Sequence, residues 1–148
     1  MTQKRKSLLR LRDARGRIRD VEAARTAQAA AVCEQVERRL ATASHDLVSA
    51  VQKACDQLAR ARGVSELEAV HEDVGAARDH VAEARRQALV AQKSRRTAGE
   101  VLGRRERELR TTERALDMVV DAERRDGDRH EQRMVDDLVG AKFARGDL

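Results

Sequence analysis

Histidine and acidic side chains are the residues of this chain best suited to bind a metal or to catalyse proton transfer. The histidines are His45, His71, His80 and His130. None has a second histidine or a cysteine three or four residues away, the spacing that places two metal ligands on one face of a helix. Adjacent acids such as Asp136 and Asp137 fall on a predicted exposed helix, and the single glycines form no phosphate-binding loop. The sequence therefore predicts no catalytic residue, no metal site and no cofactor, and a protein that is not an enzyme.

Basic residues are concentrated at the start of the chain. The first nineteen residues carry eight lysines and arginines and one acid, and residues 1–63 carry 14 basic against 7 acidic groups. Such a segment could bind phosphate, anionic lipid or an acidic protein, or could be a solvated helix face opposite an acidic helix. Binding of this segment to nucleic acid is disfavoured. Leu8, Leu11 and Ile18 keep core-like spacing, and no asparagine or aromatic residue accompanies them to recognise bases. We expect no nucleic-acid partner.

The elements that carry these residues are predicted to be long helices. The chain has no proline and one aromatic residue, and 39% of its residues are charged. One column of residues seven apart consists of Leu67, Val74, Val81, Ala88, Arg95, Leu102, Leu109 and Leu116. A second column consists of Val70, Ala77, Ala84, Ala91, Ala98, Arg105, Thr112 and Val119. Two mainly apolar columns with this offset predict the seam of a coiled coil, by which we mean the row of residues facing the partner helix.

The first half of the chain carries a less regular seam. Leu8, Leu11, Ile18, Val21 and Val32 keep heptad spacing. After a phase change the seam is predicted to continue through Val36, Leu40, Ala43, Leu47, Ala50, Ala54, Leu58 and Ala61. The extra four-residue step predicts a stutter, where the supercoil relaxes locally.

One turn is predicted between the two helical halves. Gly63 can adopt the left-handed conformation that ends a helix, and Ser65 with Glu68 forms the pattern of a capping box, with Glu66 in the first turn. The sequence thus predicts an all-α fold, two long helices forming an antiparallel coiled-coil hairpin. The predicted bounds are a single domain 1–148, with a helix 3–62, a turn 63–65, a helix 66–143 and an overhanging segment 127–148.

Folding back at this turn pairs residues whose numbers add to about 128. Leu58 then meets Val70, Leu40 meets Ala88, and Leu11 meets Leu116 and Asp117. In this register the basic start of the chain lies beside Asp117, Asp121, Glu123 and Asp126. Such a cross-helix match would explain much of the charge asymmetry without an external ligand.

The two cysteines, Cys33 and Cys55, lie on the same predicted helix. At a rise of about 1.5 Å per residue they are about 33 Å apart, too far to form a disulfide within that helix. Free thiols favour a reducing compartment. No stretch approaches the roughly 20 apolar residues that cross a bilayer, and no apolar run follows the basic start as in a secretory signal. We expect a cytoplasmic protein.

The chain resembles the flagellar export protein FliJ and its injectisome counterparts, the YscO-like stalk proteins. The likeness lies in the opening residues 8–13 (LLRLRD) and 21–25 (VEAAR), in the two-helix hairpin with a longer second helix, and in the ending 129–138 (RHEQRMVDDL) and 142–145 (KFAR). The resemblance implies a central stalk of a type III protein export apparatus, flagellar or injectisome. Such a stalk inserts into and stimulates the hexameric export ATPase, and links it to the cytoplasmic domain of the export gate.

The resemblance also implies partners, sites and a location. The residues expected to contact the ATPase ring are Lys4, Arg5, Arg10, Arg12, Arg17, Arg19, Arg124, Arg129 and Arg133. Those expected to contact the gate are Val70, Val74, Ala77, His80 and Val81. Export chaperones are further expected partners. The chain would be a cytoplasmic monomer outside the complex, and would associate peripherally with the export apparatus of the inner membrane.

Two other functions remain open at this point. One is a self-associating structural coiled coil, in which two hairpins form a four-helix bundle. The other is a basic helix at residues 3–19 that binds a membrane surface. The molecular mass in solution distinguishes the self-associating coiled coil from the stalk. Flotation with lipid vesicles distinguishes the membrane-binding helix from it.

Overall fold

The structure, a computed structural model, consists of two long helices and a short connection. It describes residues 2–60 and 63–145, and side chains up to residue 139 within those ranges. Helix α1 spans Gln3–Leu58 (56 residues) and helix α2 spans Val64–Arg145 (82 residues). No strand occurs in this described part of the chain. The helices pack against each other in opposite directions, since Arg5 contacts Glu123 and Glu37 contacts Gln92. The predicted all-α antiparallel hairpin is confirmed.

Thr2 caps the first helix. Its hydroxyl oxygen accepts a hydrogen bond from the Arg5 amide at 3.3 Å, and its carbonyl oxygen accepts one from the Lys6 amide at 3.2 Å. These bonds satisfy two of the amides that a helix N-terminus leaves without intrahelical partners. The cap therefore fixes where α1 begins and holds its basic first turns in helical form.

The connection differs in detail from the predicted turn. Helix α1 ends at Leu58, and a turn follows in which the Arg60 amide donates to the Gln57 carbonyl at 2.9 Å. The predicted helix end at residue 62 lies outside the described residues. Gly63 does not adopt a left-handed backbone; its carbonyl instead accepts a bond from the Leu67 amide at 3.4 Å.

Because α2 already begins at Val64, Ser65 lies in its first turn and is not the residue before it. The predicted capping box at Ser65 is therefore wrong by two residues. The expectation of a negative charge in the first turn is confirmed by Glu66.

The contacts divide the molecule into two compact units. Unit 1 comprises Met1–Asp20 and Gly103–Leu148, and unit 2 comprises Val21–Leu102. Each unit contains a piece of α1 packed against a piece of α2. The two units differ in what fills the seam, and they are described separately below.

The seam of α2 follows the predicted columns. Its buried members are Val70, Ala88, Ala91, Thr112 and Leu116. Most other members of both columns are half-buried, while Leu67 and Arg95 are exposed. Small residues such as Ala88 and Ala91 let two helices approach closely, which explains why these alanines are almost fully covered.

The seam of α1 differs from the prediction in its first half. One row of residues that face α2 is spaced seven apart without a break: Arg5, Arg12, Arg19, Thr26, Cys33, Leu40, Leu47 and Ala54. Leu11, Ile18, Val21 and Val32 lie beside this row, each with 42–52% of its surface exposed. The predicted seam through these four residues is therefore wrong, and so is the predicted stutter. The half-buried Leu8 and the later residues from Val36 to Ala54 are confirmed.

The predicted register is close to the observed one. In unit 1, Arg5 bonds Glu123 and Arg15 bonds Thr112. In unit 2, Glu37 bonds Gln92. Beyond Glu123, every described side chain of α2 up to residue 139 is exposed, and the helix continues through Gly127. The predicted overhang is a single helix as far as the structure describes it.

Candidate functional site

Basic side chains of unit 1 are the candidate site, and three of them are already engaged within the hairpin. Arg5 lies 3.0 Å from a Glu123 carboxylate oxygen, and Arg12 and Arg19 lie 2.7 Å and 2.6 Å from the acid that follows each in the chain. All three are half-buried in the seam. Their aliphatic stems occupy positions that a coiled coil usually gives to apolar residues. Arg5 therefore bonds α1 to α2, whereas Arg12 and Arg19 pair within α1, and less of the charge of all three faces solvent.

The other predicted ring contacts are exposed. Lys4, Arg10, Arg17, Arg124 and Arg133 make no ion pair with any residue in the described part of the chain. Arg129 is also exposed and lies 3.9 Å from the Asp126 carboxylate in the preceding turn. These six side chains are the predicted ring contacts that a partner could reach.

Glu123 anchors the start of α1 on α2. Its carboxylate accepts hydrogen bonds from the Thr2 hydroxyl, from the Thr2 amide at 2.9 Å and from the Arg5 guanidinium at 3.0 Å. The Thr2 hydroxyl and amide bonds, and then Arg5, lower the pKa of Glu123 to about 2. Of the acids predicted to face the basic start, only Glu123 forms an ion pair with it across the helices.

A polar layer at Arg15 was missed by sequence reasoning. The Arg15 guanidinium donates to the Glu108 carbonyl at 2.8 Å and to the Thr112 hydroxyl at 2.5 Å. Thr112 is almost completely buried, and its hydroxyl also donates to Glu108 at 3.0 Å. The available signal was that Arg15 lies seven residues after Leu8 and opposite Thr112 in the predicted register. We infer that this layer fixes the register of unit 1.

The predicted gate contacts lie in unit 2. Val70 is buried, and Val74, Ala77 and Val81 are half-buried in the seam against α1. Only His80 is exposed, in an open groove that it shares with Asp46 and Glu83. A partner at this part of α2 would therefore meet His80 and its exposed neighbours before the four seam residues.

The remaining reactive side chains of unit 2 are dispersed. Both cysteines are free, as predicted; Cys33 is buried in the seam and Cys55 is exposed. The Cys33 thiol donates to Glu37 at 3.4 Å, and the Gln92 amide donates to the same carboxylate at 3.2 Å. The bond from Gln92, followed by that from Cys33, lowers the pKa of Glu37.

The histidines are all exposed, as expected. Within the described ranges, no group of three or more histidine, cysteine or acidic residues is placed to hold a metal ion. None of the described helices has a stretch both long and apolar enough to cross a bilayer. The arrangement therefore offers charged outer surfaces and open grooves.

Comparisons with protein-family models, with curated proteins and with solved structures give no match to this chain.

Proposed function

We propose that the chain is a non-enzymatic stalk subunit of a type III protein export apparatus, similar to FliJ and the YscO-like proteins. In this proposal unit 1 inserts into the hexameric export ATPase and stimulates it. The region of unit 2 around His80 connects to the export gate, and export chaperones are additional partners. The support is the opening and closing sequence motifs together with the arrangement of unit 1.

The observation that carries the proposal is the set of exposed cations on unit 1. Two paired helices form a narrow body, and Lys4, Arg10 and Arg17 of α1 project from it unpaired. Arg124 and Arg133 add to them from α2. A ring pore lined by acidic side chains would attract such a body through long-range electrostatics, and contact would require no pocket.

The structure sharpens the choice of variants for a test. Reversal of Arg10 and Arg17 to glutamate removes exposed charge and leaves the bonds of Arg5, Arg12 and Arg15 in place. The matched control reverses Arg78 and Arg85, which are exposed, unpaired arginines of unit 2. Both double variants change the net charge equally.

The measurement is ATP hydrolysis by the export ATPase of the same organism, with and without the chain. We expect the native chain and the control to stimulate hydrolysis at similar concentrations. R10E/R17E should need a concentration about tenfold higher or more for the same stimulation. Absence of stimulation by the native chain, or an equal loss in both variants, would contradict the proposal.

A self-associating coiled coil is the second candidate, and exposed apolar residues of unit 2 favour it. Leu89 and Val90 are adjacent on α2 with 62% and 70% of their surface exposed, and Val48 of α1 is exposed as well. In a bundle of two hairpins such residues would be covered. Sedimentation equilibrium distinguishes the two candidates, because the stalk is a monomer without its ring and the bundle is a dimer.

A further inference from the structure

The seam leaves two sides of unit 1 open to solvent, and their chemistry differs. One side is defined by a groove that cations and acids both line: Arg12, Asp13, Gly16, Arg17, Arg19 and Asp20 of α1, with Leu109 and Glu113 of α2. We call it the mixed-charge side. The same flanking helix positions add the acids Glu106 and Asp117 and the cations Lys6, Arg110 and Arg124. Three of its acids are ion-paired: Asp13 with Arg12, Asp20 with Arg19 and Glu106 with Arg110.

The opposite side carries apolar residues. Leu11 and Ile18 each precede a seam arginine of α1, which places them on the flank opposite Gly16. Arg15, between them, reaches the Glu108 carbonyl, so this flank of α1 meets the flank of α2 that carries Glu108 and Ala115. Met118 lies one turn after Ala115 on that flank. Leu11, Ile18 and Met118 are 42%, 43% and 72% exposed.

The charges around these three residues are mainly basic. Lys4 lies one heptad before Leu11, and Arg104 and Arg125 lie two heptads before and one heptad after Met118. All three are exposed and without an ion-pair partner among the described residues. Glu108, the acid of this flank, is paired with Arg105 at 3.0 Å. We call this surface the basic apolar side; it consists of Lys4, Leu11, Ile18, Arg104, Met118 and Arg125.

We propose that the basic apolar side of unit 1 binds the surface of an anionic phospholipid bilayer. Exposed apolar side chains flanked by long basic ones are the pattern of a segment that lies in the membrane interface, with the cations reaching up to the phosphates. The mixed-charge side carries charges of both signs, so Leu11, Ile18 and Met118 would decide which side of the unit faces the bilayer. Charge complementarity and apolar exposure thus coincide on one side of one unit.

Two features separate this occupant from other polyanions. The apolar centre of Leu11, Ile18 and Met118 offers no hydrogen bond or charge to the phosphate backbone of a nucleic acid. It can enter the acyl boundary of a bilayer. The chain also has a single aromatic residue, so base stacking has little basis. The lipid site does not depend on the proposed stalk function. Because Lys4 belongs to both surfaces, an ATPase ring and a bilayer would exclude each other on unit 1.

A matched pair of charge variants tests the site. The first, K4E/R104E/R125E, reverses the three cations of the basic apolar side. The control, K6E/R110E/R124E, makes the same three changes of residue type on the mixed-charge side, at positions that are also exposed. Of these three, Arg110 lies 3.7 Å from the Glu106 carboxylate. The full chain is floated with vesicles of phosphatidylcholine alone and of phosphatidylcholine with phosphatidylglycerol, and circular dichroism verifies that each variant is helical.

We expect the native chain to float with the anionic vesicles and not with phosphatidylcholine. The first variant should lose about a hundredfold in partition coefficient, and the control should lose about tenfold or less. An equal loss in both variants would show that only net charge is sensed, and would overturn the proposal. No flotation of the native chain would overturn it as well, as would preferential binding to an acidic amphipathic peptide over the vesicles.

A second pair of variants tests the apolar centre. I18Q/M118Q keeps every charge and should lower the partition coefficient about tenfold on the anionic vesicles. The control V48Q/L89Q removes two exposed apolar residues of unit 2 and should leave binding unchanged. Unchanged binding of I18Q/M118Q would mean that the cations act alone, and the bilayer site as proposed would be wrong.

Discussion

Units 1 and 2 use the same heptad geometry with different residues in the seam. In unit 1 the α1 side of the seam includes Arg5, Arg12, Arg15 and Arg19, and the structure holds it with bonds to Glu123, Glu108 and Thr112. In unit 2 the seam consists mainly of small or apolar residues, with Cys33, Ala54, Ala88 and Ala91 almost fully covered. Unit 1 is thus aligned by directional polar contacts, and unit 2 by close packing.

This difference separates register from stability. A buried hydrogen bond between two specific partners is lost when one helix slips by a turn, whereas a row of alanines tolerates a slip of one heptad. Each buried alanine, however, adds to the free energy of unfolding, whereas a half-buried arginine adds little. We therefore expect unit 1 to specify the alignment of the helices and unit 2 to contribute more of the free energy of unfolding.

The largest expected effect comes from a charge placed in the seam of unit 2. Ala88→Asp puts an unpaired carboxylate at a position with 4% exposure, and should lower the free energy of unfolding by about 3 kcal/mol. Urea unfolding followed by far-UV circular dichroism measures it. Ala82→Asp, at an exposed position of the same helix, is the control and should change stability by about 0.5 kcal/mol or less. Equal effects of the two changes would show that Ala88 is not covered by α1.

A smaller loss is expected when the polar layer of unit 1 is removed. Arg15→Met keeps much of the aliphatic stem and deletes the bonds to Thr112 and Glu108, so stability should fall by about 1 to 2 kcal/mol. Arg10→Met, at an exposed and unpaired site, should be close to neutral. The same denaturation experiment compares them. If Arg15→Met were as neutral as its control, the polar layer would not hold unit 1 together.

The reverse effect is expected when unit 1 is made more like unit 2. Arg19 is half-buried in the seam, and its Nε atom has no hydrogen-bond partner. Arg19→Leu should raise the free energy of unfolding by about 0.5 to 1 kcal/mol, because an apolar side chain replaces an incompletely satisfied polar one. Arg17→Leu at an exposed site should leave it nearly unchanged. If Arg19→Leu lowered the free energy of unfolding, the guanidinium group of Arg19 would be shown to stabilise the fold.

The smallest expected effect is a local response to pH at the start of α1. The folded-state pKa of Glu123 is about 2, below its ordinary value of 4.5. The stabilisation it gives is therefore complete above pH 4.5 and is lost as the pH falls through 2. The protection factors of the Arg5 and Lys6 amides, which allow for the intrinsic pH dependence of hydrogen exchange, should fall as the pH is lowered over that interval, and Glu123→Gln should remove this fall. An equal fall in the native chain and in Glu123→Gln would disprove the anchor.

The sequence predicted the α2 side of the seam better than the α1 side, for a physical reason. In α2 the apolar residues at heptad spacing are the ones that face the partner, as Val70, Ala88 and Leu116 show. In the first half of α1 the larger apolar residues form a separate row through Leu11 and Ile18, one position away from the seam. A pattern of apolar residues cannot reveal that the aliphatic stems of arginines, and not the larger apolar side chains, occupy the seam.

The candidate site was predicted in composition and not in detail. The concentration of cations in unit 1 follows from counting residues, and the register placed Glu123 near the start of α1. Which arginines stay free depends on side-chain geometry after packing: Arg5 reaches Glu123, whereas Arg10 and Arg17 project outward. The sequence did not predict the two chemically different sides of unit 1, because they depend on the seam lying one position from the expected row.

The reactivity of the two native thiols tests the central claim, that the seam passes through Cys33 and leaves Val32 outside. Cys33 is 1% exposed, Cys55 is exposed, and Val32 is 46% exposed. The folded chain is treated with a maleimide, and mass spectrometry follows each cysteine, in the native protein and in a V32C/C33A variant. We predict rapid labelling of Cys55 and of the cysteine introduced at position 32, and labelling of Cys33 only as fast as the helices separate. Rapid labelling of Cys33 with protection at position 32 would contradict the account.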